Sequence, residues 1–267
     1  MNCGFGNMEP TVSILASGLK LLSFQGVTTF QDEIVVATVE GDLVRVAPDG
    51  TLTTWVNVAR YGIPTGIVGL KDVIVVALSA QESGHFLIQV TKQGKLLPLA
   101  DLSILAGGFG APFAVTAHEG YYPYYIVAIS TDVVGSGGVI ARVTPSGRTT
   151  VLATLANTSF GVGIGENYVI ATQEKGQVVK ISSTGKVRAI ATLDQASLGF
   201  PLDITRLAED WIITTTAGWL VALKPDETLS PVINIAEIGH GSPTTLTTFE
   251  HQLVVATQTG NLLRVVV

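Results

Sequence analysis

Charge is what this sequence has least of. Only 13% of its 267 residues are Asp, Glu, Lys or Arg, against roughly 25% in an ordinary soluble domain. A chain sheds charge when its elements are buried on both faces, because a desolvated charge is unfavourable. Cysteine is almost missing: Cys3 stands alone, which excludes an intrachain disulfide and a thiolate metal cage. No run approaches the roughly 18 apolar residues that cross a bilayer, so no membrane partner is expected. Basic clusters are missing too. The 15 basic and 21 acidic residues leave a net charge of −6, the positive charges come singly, and a nucleic-acid partner is not expected. Met1 to Pro10 lack a basic stretch followed by an apolar run, so the expected location is the cytoplasm. The chain has no serine-elbow motif, no His-Glu-x-x-His and no Ser/His/Asp set. Gly135-Ser136-Gly137-Gly138 is followed by neither a helix nor Lys-Ser/Thr, so it is no phosphate loop.

What is present is a repeat. Two or three apolar residues followed by Ala-Thr or a close relative recur as Val35-Val36-Ala37-Thr38, Val75-Val76-Ala77-Leu78 and Ile126-Val127-Ala128-Ile129. They return as Val169-Ile170-Ala171-Thr172, Ile212-Ile213-Thr214-Thr215 and Val254-Val255-Ala256-Thr257. A glycine follows each, and then a second strand with a shared ending, such as Val44-Arg45-Val46 or Leu263-Arg264-Val265. Thirteen residues before the Ala/Thr of the core stand Phe24, Pro64, Thr158, Pro201 and Pro243, while an insertion around Tyr121 to Tyr124 places Pro112 sixteen before. Turns such as Pro48-Asp49-Gly50 and Pro145-Ser146-Gly147 lead into a fourth strand.

Four strands in about 40–45 residues is the unit of a β-propeller. The expected fold is therefore all-β, a six-bladed propeller of four-stranded blades, forming one domain over residues 1–267. Blade cores lie near 24–58, 62–102, 110–155, 158–194, 199–235 and 241–267. The sixth repeat stops at its third strand, and Thr11-Val12-Ser13-Ile14-Leu15-Ala16-Ser17 resembles the fourth strands of the others. Residues 11–19 are thus predicted to complete the last blade and remove both open edges.

Pro64-Thr65-Gly66-Ile67, the apolar core, and Gly260 before Leu262-Leu263-Arg264-Val265 together resemble a broad superfamily of propellers. It includes NHL-repeat proteins, the gluconolactonase/senescence-marker (SMP-30) family, streptogramin B lyase and the propellers of scytonemin gene clusters. These motifs are structural and specify blades rather than chemistry. The resemblance to gluconolactonases implies metal-binding Asp, Asn or Glu just after the strand-a proline. Gln25, Thr65, Phe113, Ser159, Leu202 and Thr244 stand there instead, so no metal and no cofactor are expected. The resemblance to the lyases implies a histidine in the central funnel, and only His240 sits on a loop that would enter it.

Connections between strands d and a carry Arg60, Tyr61, Phe109, Phe200 and His240, and Phe160 lies just inside strand a of the fourth blade. They are predicted to line a funnel for a ligand; the alternative is that the aromatics wedge between blades. Asp203 and Arg206 break the pattern. The positions aligned with Asp203 are read as Gly26, Gly66, Ala114, Phe160 and Thr245, and those aligned with Arg206 as Thr29, Gly69, Gly163 and Thr248. An odd separation turns the two toward opposite faces of a strand. Asp203 could act as a general base or cation anchor and Arg206 as an anion anchor, or both could belong to a structural ion network. Asp132, on a glycine-rich stretch at the funnel face, is a candidate rim carboxylate. The tyrosines of His118 to Tyr125 suit either a contact surface or a self-packed insertion. Three functions follow: binding of a small apolar or aromatic molecule or of a protein partner at the funnel; lyase, isomerase or hydrolase chemistry there using Asp203, Arg206, His240 and Arg60; or plain scaffolding.

Overall fold

The computed structural model describes residues 9–21, 25–80, 84–107, 110–131, 137–193 and 196–267. Its strands form six four-stranded antiparallel sheets arranged as the blades of a propeller. In chain order the innermost strands are β2 (Val27–Phe30), β6 (Ile63–Gly69), β10 (Pro112–His118), β14 (Ser159–Ile164), β18 (Pro201–Leu207) and β22 (Pro243–Phe249). Each is followed outward by three more strands of its own blade, except in the last. There β1 (Thr11–Ala16) pairs with β24 (Leu262–Val266), with Val12 opposite Val265, and closes the ring.

The low charge has a direct structural counterpart. Buried apolar side chains fall into six clusters, one at each junction between neighbouring blades. Val35 packs toward the second blade and Val36 toward the sixth, because successive side chains of a strand point to opposite faces. Every sheet is therefore covered on both sides. In the turn at Pro145-Ser146-Gly147 the glycine takes φ +84°, where a Cβ would lie 2.1 Å from the Leu99 carbonyl oxygen.

The structure corrects the repeat alignment by one residue in the fourth blade. Ser159 pairs with Gln173 as Pro201 pairs with Thr215 and Pro243 with Thr257. The partner of Pro64, Pro201 and Pro243 in the repeat is thus Ser159, not Thr158, and Thr172 rather than Ala171 matches Thr214. The ambiguity lies in Ala171-Thr172, two small residues of which either could end the apolar core; the bulge early in strand a is common to both blades, between Ser159 and Val162 and between Pro201 and Ile204. It follows that Gly161, not Phe160, is the counterpart of Asp203, and Ile164, not Gly163, that of Arg206.

Candidate functional site in the central channel

The six innermost strands enclose a cavity of about 130 Å³ along the propeller axis. Its wall carries threonines on four strands, Thr28, Thr65, Thr116 and Thr205 among them, and a concentrated set on β22: Thr244, Thr245 and Thr247. Among the described residues Asp203 is the one charged residue in that wall. Two half-buried rings, Phe113 and Phe160, meet edge to face at 5.3 Å between centroids and line the same space.

Why the wall is narrow is clear from the residues aligned with Asp203. A Cβ on Gly26 would come within 2.6 Å of the Ile67 nitrogen, one on Gly66 within 2.9 Å of the Ala114 Cα, and one on Gly161 within 2.8 Å of the Asp203 Cα. Small residues allow strands of adjacent blades to approach. Asp203 fits because its side chain bonds the next blade instead of pushing it away. Its Oδ2 accepts from the Thr245 hydroxyl at 2.6 Å and from the Leu246 amide at 3.1 Å, and Oδ1 accepts from the Ile204 amide at 2.8 Å. The backbone is held too. The Asp203 amide donates to the Thr214 hydroxyl at 3.0 Å, which in turn donates to the Thr244 carbonyl at 3.0 Å. One blade earlier the Gly161 amide, Thr172 hydroxyl and Leu202 carbonyl repeat that relay at 2.8 and 2.9 Å.

Burial pushes the Asp203 carboxyl above its ordinary value of 3.8, and the Thr245 hydroxyl and the Leu246 and Ile204 amides only partly offset it. A carboxylate offers about four acceptor positions. Three are filled, and the one left is on Oδ1. That position has no hydrogen-bond partner among the described residues.

Of the predicted site residues that are described, only Asp203 and Phe160 line the channel cavity. Arg206 is exposed at the far end of β18, donates from Nε to the Ala208 carbonyl at 3.1 Å, and lines a different cavity on the other side of the blade. Its parity with Asp203 is as the sequence indicates: Asp203 bonds the sixth blade, and Arg206 lines the cavity that faces the fourth. His240 is half-buried on the connection before β22, its carbonyl accepting from the Thr259 hydroxyl at 2.9 Å. Asp203, Arg206 and His240 are therefore not brought together around one cavity. Arg60 lies 4.8 Å over the Tyr61 ring, and Tyr61 packs against the apolar cluster between the first two blades, the wedging role. Phe200 is 44% exposed on its connection, with its amide donating to the Thr216 hydroxyl at 2.9 Å. Phe109 and Asp132 lie outside the described residues, as do most of the glycine-rich stretch and Phe24.

In the third-blade insertion, Tyr125 is buried and Tyr124 stacks on His118 at 4.8 Å beneath the Arg142 guanidinium, whereas Tyr121 and Tyr122 stand out exposed. Among the described residues no group of three His, Cys, Asp or Glu converges to hold a metal ion, and no helix is long and apolar enough to cross a membrane. Sequence reasoning missed Phe113 and the threonines. The signal was available in the repeat itself: Thr28, Thr116, Thr205 and Thr247 occupy one repeat position, two after the Asp203 position.

No family model matches the chain, and no curated protein matches it in sequence. Among solved structures it is similar to virginiamycin B lyase from Staphylococcus aureus, with 13% identity and a TM-score of 0.67 over 97% of this chain and 100% of that one. It is similar to a streptogramin B lyase at 11% identity and TM-score 0.66, covering 96% of this chain and 97% of that one. The WD40 propeller domain of Doa1 gives 10% identity and TM-score 0.62 over 96% and 97%. At such identities the likeness shows the fold alone: a six-bladed β-propeller similar in shape to streptogramin-lyase-like and WD40-type propellers.

Proposed function

We propose that this chain is a binding propeller that takes a compact small molecule into its central channel, with Asp203 as the polar anchor and Phe113 and Phe160 as the apolar contact. The observation that carries this reading is the Asp203 carboxyl, set in a threonine wall with one Oδ1 position left to receive a donor. A few convergent polar groups beside an apolar surface are what a small-molecule pocket requires. The polar wall narrows the ligand class: a molecule with a flat apolar part and an ammonium or hydroxyl donor suits it better than a wholly apolar one. One structurally similar propeller, a catalytically inactive virginiamycin B lyase, was solved with quinupristin, which supports ligand binding as a use of this shape.

The enzymatic reading retains one supporting observation, the raised carboxyl of Asp203, since acid–base catalysts are commonly tuned in this way. It loses the constellation on which it relied, because Arg206 and His240 stand elsewhere. The binding reading is tested with benzylamine and benzyl alcohol by thermal shift and calorimetry. Benzylamine is expected to raise the melting temperature of the wild type and not that of Asp203→Asn, and to release protons on binding at pH values where Asp203 is protonated. Equal stabilisation of both proteins by benzylamine would contradict the reading.

A further inference from the structure

On the opposite side of the fifth blade from Asp203, facing the fourth blade, lies a second and larger cavity of about 270 Å³. Ile170 and Leu223, each only 1% exposed, form its floor, and Ile190 and Pro225 its apolar flank. Trp211 forms one wall. Its indole donates to the Tyr168 hydroxyl at 3.3 Å, and it fits only because the fourth blade offers Gly163, where a Cβ would be 2.3 Å from the ring. The repeat position of Trp211 holds Ile34, Ile74, Tyr125, Val169 and Leu253 elsewhere. The large ring and the facing glycine are therefore features of this one junction.

The charges around the opening are arranged unevenly. Lys224 pairs with Asp210 at 2.6 Å, and Arg188 clamps Glu227 at 2.8 Å, so both of those carboxylates are already matched. Two other cations line the cavity without a close ion pair among the described residues: Lys180, whose Nζ lies 4.0 Å over the Tyr168 ring and whose charge also acts on Glu227, and Arg206, whose guanidinium carbon is 6.0 Å from the Trp211 ring. Arg206 spends only Nε on the protein, at the Ala208 carbonyl, which leaves its two terminal nitrogens to offer a bidentate face. Glu209, exposed at the rim, is the one lining carboxylate without an ion pair. In a chain of net charge −6, two cations without a close ion pair over an apolar, aromatic-walled cavity form a local exception.

We propose that this junction between the fourth and fifth blades is a second binding site, for a flat aromatic carboxylate. The ring would lie on Ile170, Ile190 and Leu223 against the edge of Trp211, and the carboxylate would meet Arg206 and Lys180. This goes beyond the channel reading and does not depend on it. Calorimetric titration with 2-naphthoate, and with uncharged 2-naphthamide, provides the test. The wild type is expected to bind the naphthoate at least about tenfold more tightly than the amide, the worth of one good charge-assisted contact. Arg206→Gln and, separately, Lys180→Gln should each remove most of that preference. Glu209→Gln should tighten naphthoate by about two- to fivefold, by removing a like charge from the rim. Arg206 is exposed, so its variant tests binding in a folded protein, and far-UV circular dichroism checks this. Failure of 2-naphthoate to bind, equal affinity for the amide, or unchanged preference in both cation variants overturns the assignment.

Discussion

The two faces of the fifth blade solve the same packing problem in opposite ways. Toward the sixth blade the inner strand presents Asp203, and the junction is sewn by hydrogen bonds to Thr245, Leu246 and Thr244. Toward the fourth blade it presents Arg206 beside Trp211, and the junction is filled by one large ring seated on Gly163. The first face leaves a narrow polar channel; the second leaves a wider groove with an apolar floor. Three residues of one strand thus separate two chemically distinct cavities, because an odd step in a strand changes sides.

If that contrast is right, the ring-filled face should be the more sensitive to truncation. Trp211→Ala is expected to destabilise by about 3–5 kcal/mol, the range for emptying a large buried aromatic, measured by denaturant unfolding. Asp203→Asn should follow at about 2–3 kcal/mol, since the amide turns an N–H toward donors that need an acceptor. The gap between wild type and that variant should depend on pH. Because burial raises the Asp203 carboxyl, its folded form holds the proton more tightly than the unfolded chain does. That stabilisation is complete below 3.8, the ordinary value, and is lost as pH rises through the higher folded value. A gap independent of pH would mean that the carboxyl is not desolvated. Gly163→Ala should cost about 1–3 kcal/mol through overpacking, and much less in a Trp211→Ala background; additive losses would show that the two do not touch. Arg206→Gln should change stability by no more than about 0.5 kcal/mol, since its side chain is exposed and makes only one hydrogen bond, to the Ala208 carbonyl, among the described residues.

Much of this was legible in the sequence, for identifiable reasons. The apolar core, the glycine after it and the Arg-Val type ending recur because each blade must bury both faces, so the blade count and the closing strand at Thr11–Ala16 could be read directly. The fourth blade was read one residue out. No proline marks Ser159, and Ala171-Thr172 offers two small residues where Ile213-Thr214 offers one. Asp203 stood out because a carboxylate among glycine, alanine and threonine is chemically conspicuous. The threonine wall did not, since threonine is an ordinary strand residue and its aim toward the axis depends on the register. Arg60 and Tyr61 were placed on the right connection, but whether a loop aromatic faces a funnel or wedges into a junction is decided by packing that spacing does not encode.

The central claim is that Asp203 and Arg206 belong to separate environments on one strand. Carboxyl-carbon NMR titration of Asp203 in the wild type and in Arg206→Gln tests it directly. The account predicts a titration above 3.8 that is the same in both proteins. A clear upward move on removing Arg206 would show that the guanidinium stabilises the carboxylate, and would contradict the separation of channel from groove.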